Sequence, residues 1–294
     1  MATAIVTLPE PQARALAATY AAAVARRRWR GAAALAVTAL LVVLSCYMAE
    51  VRPATFYDNI QNFSNYIVAI LPHLTLANFS ADMKAWFWNL PKWLALLGET
   101  LLIAYLGTLA GAFGAFCLCF LASANLNSSY ALRFAARRFL EFCRTVPEIV
   151  FALLFVIAFG LGPMVGVFAL AIHTTGALGK LFAEVVENND MKPIEGLRAT
   201  GASWFAVVRF GALPQVLAGF VSYALLRFEI NVRSAGVMGF VGAGGIGMEF
   251  LVAIRNFYYS DVSAILVLII ITVCLIDFFT ERLRHTLISI GAPR

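Results

Sequence analysis

Charge is scarce in this chain. Of its 294 residues only 13% are Asp, Glu, Lys or Arg, and 62% are apolar. The mean hydropathy is +0.84. That is roughly half the charge of an ordinary soluble domain. A soluble fold of this size would lack the polar surface to stay dispersed. Intrinsic disorder needs the opposite balance, so both classes are excluded. Histidine is scarce as well: the three, His73, His173 and His285, lie far apart in the chain. None stands in an H-E-x-x-H spacing, so no metal site is expected. The five cysteines are odd in number and lie mostly inside apolar runs, which is not a disulfide framework. Cys117 and Cys119 read as small buried apolar residues. A phosphate-binding P-loop is missing too. Gly176-Ala-Leu-Gly179-Lys180 has the wrong spacing, and Leu181 stands where Ser or Thr must be. Gly242-Ala-Gly244-Gly-Ile-Gly247 matches G-x-G-x-x-G literally. It falls between two apolar runs rather than inside a βαβ unit, which excludes a dinucleotide site.

What the chain does have is long apolar runs, and an all-α integral membrane protein follows. Six spans are expected: Gly31 to Ala49, Trp93 to Ala122, Arg138 to Phe159, Pro163 to Val185, Leu213 to Ser234 and Val262 to Phe279. Gly160-Leu161-Gly162-Pro163 separates the third from the fourth, because Gly is flexible and Pro ends a helix. The first run, behind Arg26, Arg27, Arg28 and Arg30, has the look of a signal peptide, and Val43-Leu44-Ser45-Cys46 faintly resembles a lipoprotein cleavage site. It is long for that role and reads as a retained helix.

The net charge of +6 would raise nucleic acid as a partner in a soluble protein. Here the positive-inside rule accounts for it, and no nucleic acid is expected. With both termini cytoplasmic, sixteen of the 22 basic residues fall on the cytoplasmic side. Four, Arg52, Lys84, Lys92 and Arg255, fall outside, and Arg227 and Arg233 lie within the fifth span.

The expected organisation is a cytosolic helix over 1–30, then a first span with an external interfacial segment over 31–92. A membrane core follows over 93–284 with a cytoplasmic loop at 187–212, and 285–294 forms a cytosolic tail. In the external segment Phe56, Tyr57, Ile60, Phe63, Tyr66, Ile67 and Ile70 fall at helical spacing. An amphipathic helix on the lipid surface fits them, with Trp86, Trp88 and Trp93 at headgroup level. A ligand-binding aromatic cluster is the competing reading. Gly107, Gly111 and Gly114 form a small-residue face on the second span, either for internal packing or for a homodimer seam.

The most informative stretch is Glu187 to Ala212. Glu187-Asn188-Asn189-Asp190 can cap a helix, and Pro193 suits its first turn. Gly201 suits a left-handed stop, Ser203 can cap a second short helix through Arg209, and Pro214 opens the fifth span. Ile194, Leu197, Trp204 and Phe205 then point apolar groups toward the cytosol, which suggests a docking partner.

Glu195-Gly196-Leu197, then Gly201, then Leu213-Pro214 resembles the EAA loop of bacterial ABC-importer permeases. The spacing fits without a gap. Gly196-Leu197 replaces Ala-Ala, and Gly211 takes the place of an Ile. Arg144-Thr-Val-Pro147-Glu148, Gly160-Leu-Gly-Pro163, His173-Thr-Thr-Gly176-Ala-Leu-Gly179-Lys180, Gly239 to Gly247 and Ala253-Ile-Arg255-Asn-Phe-Tyr258-Tyr259 are similar to the phosphonate-import permeases, whose phosphite and hypophosphite relatives share much of the set. The resemblance covers about 93–284.

That resemblance implies a type I importer permease core in the bacterial inner membrane. It implies a second copy of the permease, two ATP-binding cytosolic subunits, an extracytoplasmic solute-binding protein and a phosphonate-like anion as substrate, with membrane lipid around the spans. The chain itself is then not an enzyme and holds no cofactor, since ATP and Mg belong to the partner ATPase. Coupling to that ATPase is assigned to Glu195, Gly196, Leu197, Gly201, Trp204, Leu213 and Pro214. Ionisable residues inside spans are functional by default. Arg227 is therefore the first candidate for the substrate path, with Asn231, Arg233, His173 and Arg144 behind it. Structural alternatives stand beside these: Arg227 can pair with Glu229 or with another helix, Arg233 can snorkel to the interface, and Arg144 with Glu148 forms an i,i+4 pair. Binding-protein docking falls on Gly242, Gly244, Gly245, Gly247, Glu249 and Arg255.

Two other function classes compete. An ion-gradient-driven transporter or channel calls for paired acids at mid-membrane, whereas Glu99, Glu148 and Asp277 are scattered. A membrane-embedded enzyme would have to use His173 with Glu184 or Glu187, without metal spacing.

Overall fold

The computed structural model describes residues 9–291 except 73 and 76, with side chains described up to residue 286. His73, the first eight residues of the expected N-terminal helix and the last three of the expected tail lie outside the described residues. All regular structure among the described residues is helical. The chain divides into two compact units, Met1–Ile67 and Val68–Arg294.

The first unit holds α1 (Glu10–Met48) and most of α2 (Pro53–Ile70). The expected break between a cytosolic helix and a first span at residue 30 is absent: α1 is one helix of 39 residues. Its length of about 58 Å is nearly twice the hydrocarbon thickness of a bilayer. Pro11 sits in the first turn, where its missing N–H costs no hydrogen bond. No proline follows it in α1, and Gly31 costs the helix only about 1 kcal/mol. α2 forms where the interfacial helix is expected.

The second unit holds α3 (Phe79–Trp86), α4 (Leu90–Ala122), α5 (Tyr130–Thr145), α6 (Glu148–Phe159), α7 (Pro163–Glu187), α8 (Lys192–Ala199) and α9 (Trp204–Ala206). A π-helical stretch (Val207–Ala212) leads into α10 (Leu213–Met238), and a 3-10 turn (Gly239–Val241) leads toward α11 (Ile246–Arg255) and α12 (Tyr259–Gly291). Before α3, the Asp82 carboxylate accepts from the Thr75 N–H and hydroxyl at 2.8 and 2.6 Å. Those bonds hold its carboxyl below the usual carboxylate range. Among the described residues, five helical segments are long and apolar enough to cross a bilayer, or six if α5 and α6 form one bent span.

That bend corrects the expected third span. Arg138 to Phe159 is not one helix: α5 and α6 meet at 85°. Pro147 has no N–H to give the helix, and it forces Val146 into extended backbone at φ −77, ψ 122. Arg144 and Glu148 therefore sit on different helices and make no i,i+4 pair. Arg144 is exposed, while Glu148 turns toward α7 and α10. The fifth and sixth spans run beyond their expected ends, to Met238 and Gly291.

α4 against α7 is the most extensive helix pair. Gly107, Gly111 and Gly114 face Leu170, Thr174 and Thr175. A Cβ on Gly111 would stand 2.5 Å from the Thr174 Cβ and 2.9 Å from the Ala171 carbonyl oxygen. The glycine face thus serves internal packing. Cys119 is buried in α4, but Cys117, expected to be buried as well, is exposed. Three apolar clusters hold the unit. One, at the α8 end, includes Phe120, Leu178, Val186 and Phe220, with the Phe182 and Phe220 rings stacked 4.0 Å apart. The second, at mid-bundle, includes Ile103, Phe151, Leu170 and Met238. The third, at the α11 end, includes Trp93, Ile246 and Ile265. Trp93 is only 1% exposed, so it is a core residue and not a headgroup anchor. Trp86 and Trp88 instead donate their indole N–H groups to Ser263 and Asp261 at the start of α12. In a bilayer such burial stabilises through close packing more than through release of water.

Candidate functional site

The loop between α7 and α10 is an ordered helix–turn–helix. Asp190, just before the N-cap Met191, accepts from the Lys192 N–H at 3.1 Å and so satisfies the first amide of α8, with Pro193 in the first turn. At the other end Gly201 adopts φ +77, the left-handed conformation that disfavours any Cβ. Its N–H reaches the Arg198 carbonyl at 3.0 Å, and the Ala202 N–H reaches that of Leu197 at 3.2 Å. This is a Schellman motif, with the last carbonyls of the helix satisfied by the two residues that follow it.

Three of the four apolar residues expected to face the cytosol do not. Ile194 is fully buried, and Leu197 and Trp204 are half-buried in the α8-end cluster. Gly211, where the family pattern has Ile, lets the π-helical stretch approach α8: a Cβ there would stand 3.1 Å from Leu197 and 3.4 Å from Ile194. Trp204 donates its indole N–H to the Leu126 carbonyl at 3.1 Å, and Arg198 donates to the Asn125 carbonyl at 2.8 Å. Phe205 alone projects, 77% exposed. Glu195, Gly196 and Pro214 are exposed, and Leu213 is half-buried. Ser203 precedes α9 but makes no side-chain cap bond. The π-helical stretch stands directly before Leu213-Pro214, where Pro214 cannot donate to a preceding carbonyl.

A polar cluster lies inside the bundle. Asn231 is fully buried and donates to the hydroxyls of Thr108 on α4 and Thr174 on α7, at 2.8 and 2.9 Å. Arg227, one turn earlier, approaches Thr174 through Nε at 3.4 Å. Its Nη2 and the Asn231 Oδ1 have no partner among the described residues. Next to them, Glu148 accepts from Ser234 at 2.7 Å and faces His173 Nε2 at 3.5 Å. His173 Nδ1 lies 3.0 Å from the Val146 carbonyl, the one exposed by the α5–α6 bend. Arg227 is close enough to Glu148 to interact electrostatically.

The expected path residues therefore separate. Asn231 locks three helices together inside the bundle. Arg233 points the opposite way, to Glu229 and to Asp277 on α12, so it neither snorkels alone nor stays an unpaired cation. Glu229 is taken by Arg233, and the alternative pair Arg227–Glu229 does not form. Arg144 lies apart on the exposed face of α5.

At the α11 end the glycine segment is packed, not presented. Gly244, Gly245 and Gly247 are buried. Glu99 and Thr100 on α4 accept from the Gly245 and Ile246 N–H groups at 3.1 and 2.9 Å, holding the start of α11. Gly242 lies under Leu161, and its carbonyl accepts from the Gly162 N–H at 3.0 Å. Of the expected docking residues, Arg255 is exposed, and Glu249 is half-buried in an ion pair with Lys92 at 2.7 Å. Sequence reasoning missed Thr108, Thr174, Ser234 and Thr100, because a single hydroxyl in an apolar run carries no periodic signal.

Comparison with known proteins agrees with this architecture. The phosphite transport system permease protein PtxC of Stutzerimonas stutzeri is 35% identical over 87% of this chain and 89% of its own length. A cryptic phosphonate transport system permease protein of Escherichia coli is 54% identical over 40% of this chain and 95% of its own. The phosphate-import permease protein PhnE of Mycolicibacterium smegmatis is 38% identical over 65% of this chain, a match that spans only 36% of that relative. Among solved structures, the inward-facing MetNI methionine ABC transporter superposes with a TM-score of 0.57 at 22% identity, over 66% of this chain and 95% of that one. An amino acid ABC transporter gives 0.55 at 16% identity, over 68% and 98%. These two share the fold. The model of the binding-protein-dependent transport system inner membrane component matches residues 118–288, and the chain belongs to that family as a multi-pass ABC-importer permease.

Proposed function

We propose that the chain carries phosphonate, or a related phosphorus oxyanion such as phosphite or hypophosphite, across the bacterial inner membrane as the permease of an ATP-driven importer. The names of the relatives matched over most of the chain support the substrate class. Family membership favours this reading over a gradient-driven transporter.

In this reading two copies of the chain enclose one pathway. A solute-binding protein delivers the anion outside, and two ATPase subunits dock inside, with both termini on their side. ATP binds one state of the assembly more tightly than the other and so shifts the population between inward-open and outward-open forms. The observation that carries the coupling assignment is α8 itself. Its first amide is held by Asp190, its last carbonyls are satisfied by Gly201 and Ala202, it is seated by Ile194, and it presents Glu195 and Gly196 outward. A rigid, well-seated element passes on a bias that a soft loop would absorb. Gly201 and Trp204 seat the helix, Leu197 packs beneath it, and Leu213-Pro214 joins it to α10.

Arg227 is the path residue best supported, because a guanidinium with an unsatisfied buried Nη2 can still donate to an oxyanion. The test is ATP-driven uptake of labelled phosphite, methylphosphonate and phosphate by proteoliposomes holding the complete assembly. Uptake of at least one of these, dependent on ATP and on the binding protein, supports the proposal. Uptake driven by a proton or sodium gradient without ATP contradicts it.

A further inference from the structure

The α8–α9 loop connects by chain only to α7 and α10. Its hydrogen bonds reach further. Arg198 and Trp204 donate to the carbonyls of Asn125 and Leu126, at 2.8 and 3.1 Å, across 73 and 78 residues of sequence. Those two acceptors lie in the turn between α4 and α5. The same turn is tied to the end of α7: Asn125 Nδ2 donates to the Val186 carbonyl at 2.7 Å, and the Ala124 N–H donates to Glu187 Oε1 at 2.6 Å. Arg137 on α5 closes the ring, donating to the Ala122 carbonyl at 2.8 Å and to the Glu187 carboxylate. Asn127 and Arg133 add bonds inside the turn.

We infer that residues 122–127 are the second output of the coupling loop, and that Asn125, Arg198 and the Arg137–Glu187 pair are positioning residues that make α8, α9, the α4–α5 turn and the end of α7 move as one body. The inference rests on the coupling reading above. Charged donors to backbone carbonyls are among the stronger hydrogen bonds of a protein, and a closed network of them resists separation more than its single bonds suggest. The consequence is specific. α5 begins at this turn and ends at the 85° bend, where the Val146 carbonyl meets His173 beside Glu148 and Arg227. Displacement of α8 is thereby delivered through α5 to the mid-bundle polar cluster, in parallel with the direct route through α10.

The experiment uses the full chain reconstituted with its ATPase and binding protein, reading phosphite uptake and ATP hydrolysis together. Asn125→Ala and Arg198→Met keep ATPase co-purification and basal hydrolysis, and each lowers phosphite taken up per ATP by about fivefold or more. The double variant is no worse than the poorer single, because one body is broken either way. Arg198→Lys, which keeps a charged donor, recovers most of the ratio. Unchanged ratios, additive losses or loss of the ATPase would each overturn the inference.

A measurement that leaves the network intact stands beside these. Spin labels at Ser128→Cys and Ala199→Cys, with the exposed Cys46, Cys117 and Cys274 changed to Ser, report the separation of turn and α8. The inference requires the same distance distribution with and without ATP. A nucleotide-dependent change, with ATPase bound, contradicts this inference alone. A parent chain that captures no ATPase overturns the importer reading and this inference with it.

Discussion

Arg233 on α10 donates to both carboxylate oxygens of Asp277 on α12, at 3.1 and 3.0 Å, across 44 residues of sequence. With Glu229 it forms a three-charge group inside two apolar spans, where an unpaired charge is expensive. Asp277→Asn therefore lowers stability in detergent by about 1 kcal/mol, a figure kept small because the group is partly exposed. Arg233→Gln then costs less on top of Asp277→Asn than it does in the parent chain, since its bond to Asp277 is already gone and only its pair with Glu229 is lost. Thermal unfolding of the two singles and the double checks this. Additive losses would show that the pair is not coupled.

Arg227 differs from Arg233 in having a buried donor without a partner among the described residues. On the path role proposed for it, Arg227→Gln removes the charge that would meet the anion. Uptake falls about ten- to a hundredfold, the scale of a lost hydrogen bond to a charged group. Anion binding by the solute-binding protein and capture of the ATPase stay as they were. Transport assays and titration of the isolated binding protein separate these readouts. Unimpaired uptake removes Arg227 from the path.

Two glycines make a matched pair of opposite expectation. A Cβ on Gly111 meets Thr174 and Ala171 at once, so Gly111→Ala forces α4 and α7 apart and costs about 1–3 kcal/mol. A Cβ on Gly196 meets nothing within 4 Å, and alanine restores the residue of the family pattern. Gly196→Ala stabilises α8 by about 1 kcal/mol and leaves uptake intact. Melting curves in the same detergent give both numbers.

Gly201 ends α8 at φ +77 with open space around it. Any penalty at this position is therefore backbone strain and not collision. Gly201→Val costs about 1–2 kcal/mol locally and tilts α8 away from its seat. The chain still inserts, but ATP hydrolysis no longer drives uptake. Normal uptake by this variant would exclude a coupling role for the turn.

Much of this was legible in the sequence. Apolar runs marked the spans, because a bilayer demands them in unbroken form. Gly201 and Pro193 marked the ends of α8, because each satisfies a backbone requirement few residues meet. Other features were hidden by the same apolarity. Arg138 to Phe159 reads as one span on hydropathy, because the single Pro147 that bends it does not interrupt the apolar run. The arginines at 26–30 read as a boundary on charge alone, but charge does not interrupt a helix, and α1 runs through them. Trp93 and Ile194 read as surface residues because spacing shows which residues share a face, not which face is covered. The contacts of Asn231, Glu148 and Arg198 link residues 57 to 123, 86 and 73 positions apart, a range at which one sequence carries no signal.

The central claim is that the exposed face of α8 seats an ATPase. The most direct measurement is tagged purification of the chain from native membranes in mild detergent, with partners identified by mass spectrometry. The parent chain and a Glu195→Arg, Gly196→Arg variant are compared. Both changes fall on exposed positions, so the fold is retained. The account predicts that a Walker-motif ATPase accompanies the parent and is lost from the variant. Recovery of the parent chain alone, under conditions that keep a control importer assembled, or equal capture by both chains, would contradict it.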